Sequence, residues 1–146
     1  MNKLHIRPFQ SVDEDAVIAL WHACGLVVPQ NNPKRDIARK LRVNAEWFLV
    51  GELDGAVIGT CLAGYEGHRG WINYLAVHPD QQRRGLAREL MQHAETLLRA
   101  AGCPKINLQV RRTNAAVIAF YEAIGFAVDD VVSLGKRLEH DTPPSS

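Results

Sequence analysis

Between Trp47 and Tyr65 the chain reads WFLVGEL, then Asp54-Gly55, then AVIGTCLAGY. Two apolar runs joined by Asp-Gly are two strands closed by a tight turn, because that dipeptide accepts the positive φ angles such turns need. This hairpin is the antiparallel part of a mixed α/β order. Lys3 to Phe9 alternates as a first strand ended near Pro8. Ser11 and Glu14 fit a capping box for a helix that buries Val17, Leu20, Trp21 and Cys24 and closes at Gly25. Asn32-Pro33 starts a second helix running to about Val43, with Ile37 and Leu41 inward and Lys34, Arg35, Arg39, Lys40 and Arg42 in solvent. After the loop Glu66–Gly70, WINYLAVH is a strand stopped by Pro79. A long helix follows on Leu86, Leu90, Ala94, Leu97, Leu98 and Ala101, with Gly102 just past its end. Ile106, Leu108 and Val110 form the next strand, Asn114 caps a short helix to about Ile124, and Gly125-Phe126 turns into a closing strand.

The whole chain has 146 residues, 47% of them hydrophobic. That length supports one core without disulfides or a structural metal. Residues 1–140 are expected to form a single domain and 141–146, with two prolines and two serines, a flexible tail. A net charge of +1 argues against the broad positive surface of a nucleic-acid binder. No apolar stretch resembles a signal peptide or a membrane span, so a cytoplasmic, membrane-free protein is expected. Cys24, Cys61 and Cys103 lie far apart and read as reduced thiols, and the scattered histidines do not converge as metal ligands.

Leu75 to Ala87 runs from a strand end through a loop into a helix, and this is where chemistry concentrates. Free N–H groups at a helix start converge on an anion, the helix dipole favours negative charge there, and Gly85 lets a ligand approach the backbone closely. Arg83 and Arg84 add positive charge. Taken alone, the segment reads more readily as an ordinary helix start with solvated arginines, and context is what changes that reading.

Gln82-x-x-Gly85-x-Ala87 after LAVHP, followed about thirty residues on by Asn114, Phe120-Tyr121-Glu122 and Gly125-Phe126, resembles the GNAT family of acetyl-CoA-dependent N-acetyltransferases. GYEGHRG and DVVSLGKRL further resemble a small bacterial subgroup of it. The resemblance implies a single-domain GNAT fold of the α/β class, a central mixed, mostly antiparallel sheet flanked by helices. It implies acetyl-CoA as co-substrate and no metal. Backbone amides of Gln82, Arg83, Arg84, Gly85, Leu86 and Ala87 would hold the pyrophosphate, with Ala87 standing where the family more often has Gly. Leu75, Ala76 and Val77 would bind the pantetheine arm through their main chain, in a gap where this strand splays from Ile106–Val110. Asn114 and Tyr121 would lie beside the arm and thioester.

Acetyl transfer to an amine needs a neutral nucleophile, a polarised thioester carbonyl and a proton for the departing thiolate. A phenol with a pKa near 10 stays protonated at neutral pH and can donate to a thiolate whose parent thiol has a pKa of about 8.5. Tyr121 is therefore the candidate general acid, although its spacing equally suits an aromatic at the core edge. Relatives that acetylate protein N-termini carry Glu in a pattern like L-E-V-R, where this chain has Leu108-Gln109-Val110-Arg111. Gln109 is no base. Glu66, with His68 and Tyr74 as further candidates, remains for that role. A site without a strong base suits an α-amine, with a pKa of about 7.7–8.0, better than a lysine-like amine, which costs about 4 kcal/mol to deprotonate at pH 7.4.

The expected partner is thus an amine-bearing small molecule or peptide, with a homodimer possible through Trp47 or Trp71. Rival readings are a non-catalytic acyl-CoA sensor, an acyltransferase using a longer acyl-CoA, and a regulator whose loop holds another phosphate ligand. The absence of G-x-x-x-x-G-K-[ST] and of G-x-S-x-G counts against P-loop and hydrolase chemistry.

Overall fold

The computed structural model describes residues 3–141. Strands β1 (His5–Pro8), β2 (Phe48–Leu53), β3 (Ala56–Tyr65), β4 (Gly70–Val77) and β5 (Ile106–Asn107) form one five-stranded sheet in the order β1-β2-β3-β4-β5. The first four pair antiparallel and β5 joins β4 in parallel. Helices α1 (Glu14–Ala23) and α2 (Pro33–Lys40) pack on one face, and α3 (Leu86–Ala100) and α4 (Ala115–Ala123) on the other.

Because both faces are covered, the central strands are continuous apolar runs rather than alternating ones. Phe48, Val50 and Leu62 meet Val17, Leu20, Trp21 and Ile37 on the α1/α2 side. Leu49, Cys61 and Ala63 meet Leu90, Met91, Ala94 and Leu98 on the α3 side. Each large side chain buried this way contributes about 1.5–3 kcal/mol. The hairpin turns at Asp54 (φ 53°) and Gly55 (φ 79°), the left-handed pair its sequence predicts.

Four local expectations are corrected. The first helical turn is capped one residue earlier than Ser11 and Glu14 indicate: the Asp13 carboxylate accepts the Gln10 N–H at 2.8 Å and also receives both Arg7 guanidinium nitrogens at 2.7 and 2.8 Å. Arg7 also reaches Glu52, so this cap is bonded to the sheet edge as well. Second, α2 stops at Lys40, leaving Leu41 42% exposed. Lys40 is half-buried instead, and its ammonium donates to the Ala63 carbonyl, where β3 runs on beyond its last pair with β2, Phe48↔Leu62. Burial lowers the Lys40 pKa.

Third, only Ile106 and Asn107 of the expected Ile106–Val110 strand pair with a neighbour. Fourth, no strand follows Phe126: residues 127–141 have no regular structure and are fastened by side chains. Lys105 Nζ and Asn107 Nδ2 both bond the Asp129 carboxylate at 2.9 Å, and Gln109 donates to Ser133 Oγ. Of the tail expected at 141–146, Asp141 is buried against α2, and residues 142–146 lie outside the described residues.

Candidate functional site

β4 and β5 pair only through Gly70↔Ile106 and Trp71↔Asn107, and beyond that fork the two chains part. Ile72–Val77 therefore stays paired to β3 on one edge and has no strand on the other. That edge carries backbone donors and acceptors which an extended ligand can satisfy as an added strand would.

The free stretch contains a bulge. Thr60 pairs with Ala76 but Leu62 pairs with Asn73, so Tyr74 and Leu75 together face Cys61, and Tyr74 takes a left-handed φ of 50°. One extra residue reverses the facing of everything after it. Ile72 packs on the α3 side, whereas Ala76, four residues on, packs on the α1 side, and Val77 on the α3 side. The bulge is braced by Thr60, fully buried, whose hydroxyl accepts the Trp21 indole N–H at 2.9 Å and donates to the Tyr74 carbonyl at 2.8 Å. The Tyr74 ring stacks on Trp21 at 3.8 Å.

From the free end of β4 the chain turns through Pro79–Gln81 into α3. Arg83 (φ 66°) and Gly85 (φ 76°) are both left-handed, and a Cβ placed on Gly85 would meet nothing within 4 Å. The loop thus presents open backbone ahead of α3, whose first N–H groups have no intrahelical acceptor. Gln82, though exposed, donates from Nε2 to the Val77 carbonyl at 3.2 Å and so joins loop to strand. Arg84 donates to Gln81 Oε1 at 2.5 Å, while the Arg83 and Arg84 side chains are both exposed.

Tyr121 lies on α4, 9% exposed, held edge-on between Phe120 and Phe126. It borders a cleft of about 1320 Å³ with Trp71, Asn107, Leu108, Gln109 and Phe126. Leu75–Val77 and the Gln82–Ala87 loop do not line that cleft, although Leu75 and Ala87 pack against the same core cluster as Tyr121. Burial, with a smaller contribution from nearby Cys61, raises the Tyr121 pKa and keeps its proton in place. Asn114 caps α4 as expected, accepting from Val117 N at 3.4 Å.

Glu66 does not line the Tyr121 cleft. Its carboxylate folds onto its own turn, accepting the N–H groups of His68 and Arg69, and it sits before the start of β4, roughly 15 Å of strand from the bulge. On the α1/α2 face, Tyr74, one of the further candidates for the base, is held by its neighbours. Tyr74 Oη donates to Asp36 Oδ2 at 2.5 Å and accepts from Asn31 Nδ2 at 2.7 Å. Burial and Asp36 raise its pKa. Beside Asp36, Arg39 reaches Asp141 at 2.6 and 2.8 Å. Neither Asn31 nor Asp36 carries a sequence signal, since both lie in or near a helix whose charged residues read as solvated.

Among the described residues no helix is long and apolar enough to cross a membrane, and no group of three or more His, Cys, Asp or Glu side chains is placed to hold a metal ion. Trp47 packs against the core and Trp71 is partly exposed at the fork.

A splayed parallel strand beside an open helix start leaves backbone free to bind an extended, anionic ligand. The fold is that of solved N-acetyltransferases: the ribosomal-protein-S18-alanine N-acetyltransferase of Escherichia coli superposes with a TM-score of 0.71 at 25% identity, over 84% of this chain and 77% of that one. The PaiA N-acetyltransferase of Thermoplasma acidophilum, solved with coenzyme A, gives 0.75 at 19% identity, over 89% and 93%. An acetyltransferase of Yersinia enterocolitica is 48% identical over 92% of this chain and 96% of its own length. Residues 10–126 match the acetyltransferase (GNAT) family, and the chain belongs to it. It is an acetyl-CoA-dependent N-acetyltransferase of the small bacterial kind.

Proposed function

We propose that this enzyme transfers the acetyl group by direct attack of a bound primary amine on acetyl-CoA, both substrates being held at once. The observation that carries this is the fork at Gly70/Trp71, beyond which β4 has a free backbone edge leading straight to the open loop at Gly85. Coenzyme A supplies the activated thioester. Along that edge Leu75, Ala76 and Val77 hold the pantetheine arm through the main chain, and a backbone N–H at the bulge polarises the thioester carbonyl. The N–H groups from Gln82 to Ala87 take the pyrophosphate, with Arg83 and Arg84 supplying charge and Asn114 flanking the arm. Tyr121, kept protonated by burial, donates to the departing thiolate.

For the amine, the placement of Glu66 and the engagement of Gln109 with Ser133 favour an acceptor that is partly neutral without a strong base, an α-amine of a small molecule or peptide. The three cysteines are free, in keeping with a reducing, cytoplasmic setting. The test is thiol release from acetyl-CoA against amino acids, short peptides, polyamines and lysine side chains. Release with α-amines is expected; a preference for spermidine or lysine side chains would overturn the acceptor class, and tight coenzyme binding with no release from any amine would turn the reading toward a sensor.

A further inference from the structure

On the α2 side of the molecule two arginines hold a carboxylate of the chain's own. Residues 131–140 are all exposed, their valines and leucines included, and the segment is held to the body by a few polar side chains. Its last described residue is the opposite. Asp141 is 3% exposed, and its carboxylate receives both terminal nitrogens of Arg39, at 2.6 and 2.8 Å, and Arg35 Nη1 at 3.4 Å. A planar guanidinium gripping both oxygens is the fork geometry that suits a bidentate oxyanion such as a carboxylate and that a neutral amide does not satisfy. Arg39 also contacts Asp36 Oδ1 at 3.5 Å and Glu139 Oε2 at 2.8 Å.

The arginine pair connects to the proposed reaction centre. Arg39 touches Asp36, Asp36 accepts from Tyr74, and Tyr74 is the left-handed residue of the β4 bulge, next to Leu75. We propose that Arg35 and Arg39 recognise the carboxylate of the amine acceptor and that Asp141 occupies their site as an intramolecular competitor. The proposal rests on the transfer reading above and narrows its acceptor. Between Arg39 and the bulge stand Asp36 and the whole phenol ring of Tyr74, so the acceptor's amine and carboxylate are more than one carbon apart. A short peptide with a free N-terminus and a free C-terminus satisfies this; a bare α-amino acid does not.

A tethered carboxylate competes at the effective concentration its linker allows, of millimolar order for a flexible one. Removing its charge therefore exposes the site to free ligand. The experiment is calorimetric titration of the coenzyme A-saturated protein with triglycine, triglycinamide and glycine. Asp141→Asn, a near-isosteric change beside the chain end, is expected to bind triglycine at least about five-fold more tightly than the unmodified protein, with triglycinamide unchanged and glycine gaining little. Adding Arg39→Gln, or separately Arg35→Gln, whose side chain contacts only Asp141 among the described residues, is expected to erase or reduce the preference for acid over amide. Equal binding of acid and amide by Asp141→Asn, no binding of either, or an acid preference that survives loss of both arginines would overturn the proposal and leave Asp141 as a structural latch. Thiol release with triglycinamide separates the two readings: release without acid preference sinks only the carboxylate pocket, whereas no release from any amine sinks the transfer reading.

Discussion

At the scale of single residues, two buried groups carry opposite electrostatic assignments. Tyr121 has its pKa raised by burial, so it is protonated throughout the range in which an amine acceptor becomes neutral. Tyr121→Phe is expected to lower kcat by about 100-fold, the ordinary worth of a placed general acid, with coenzyme A affinity within about two-fold of the original. The same raised pKa predicts that kcat of the unmodified enzyme shows no alkaline fall from this group up to about pH 10; a steep loss at pH 8–9 would remove Tyr121 from the role. Asp13 has its pKa lowered, first by its bonds from Arg7. A carboxylate with a folded pKa below its unfolded value of about 3.9 adds stability that is complete above pH 3.9 and disappears as pH falls through the folded pKa. Asp13→Asn should therefore cost about 2 kcal/mol at pH 6 and much less at pH 2.5, as read from urea unfolding at the two pH values.

Among elements, the β4 bulge and the α3 start are the ones the proposed reaction relies on. Thr60 is the single hydroxyl that satisfies both the Trp21 indole and the Tyr74 carbonyl. Thr60→Val keeps the shape and leaves a buried donor and a buried acceptor unpaired, a loss of about 2–4 kcal/mol in chemical unfolding. If the bulge sets the thioester's position, a folded Thr60→Val enzyme loses kcat more than coenzyme affinity. At the other end of the path, Gly85→Ala meets no neighbour, and its penalty is confined to the positive φ, about 1 kcal/mol, plus a methyl group in the path of the ligand. Weaker coenzyme A binding with little change in melting temperature is the expected signature; unchanged affinity would take the pyrophosphate off this loop.

For the whole molecule, the fork at Gly70/Trp71 leaves an edge of β4 with no paired strand among the described residues, which the proposed donor would complete. Ligand binding to the folded state alone adds RT ln(1 + [L]/Kd), about 2.7 kcal/mol at one hundred times Kd, which for a chain of this size is roughly 5–10 °C in Tm. Calorimetric melts with and without coenzyme A measure it. Hydrogen exchange at Leu75–Val77 should slow in the same samples, and protection confined to other segments would contradict main-chain binding along β4.

Local chemistry was legible from the chain: the Asp54-Gly55 turn, the Asn32-Pro33 and Asn114 caps, the apolar stripe of α3 and the Gln82–Ala87 loop each depend on neighbours a few residues away, so spacing alone reveals them. The capping box slipped by a residue because Asp13, rather than Glu14, is held by Arg7, six residues earlier on β1. Lys40 and Arg39 read as solvated because nothing nearby in sequence announces the Ala63 carbonyl or Asp141, 102 residues away from Arg39. WINYLAVH contains no sign of its bulge, since apolar residues stand at both parities and either facing would be buried. What tertiary structure alone decided is therefore which residues gather beside the β4 bulge. Tyr74, Asn31, Asp36, Arg39 and Asp141 meet only because a register shift in β4 turns Tyr74 toward α2 and the chain end returns to the same helix; side chains far apart in sequence acquire meaning from the geometry that brings them within hydrogen-bond reach.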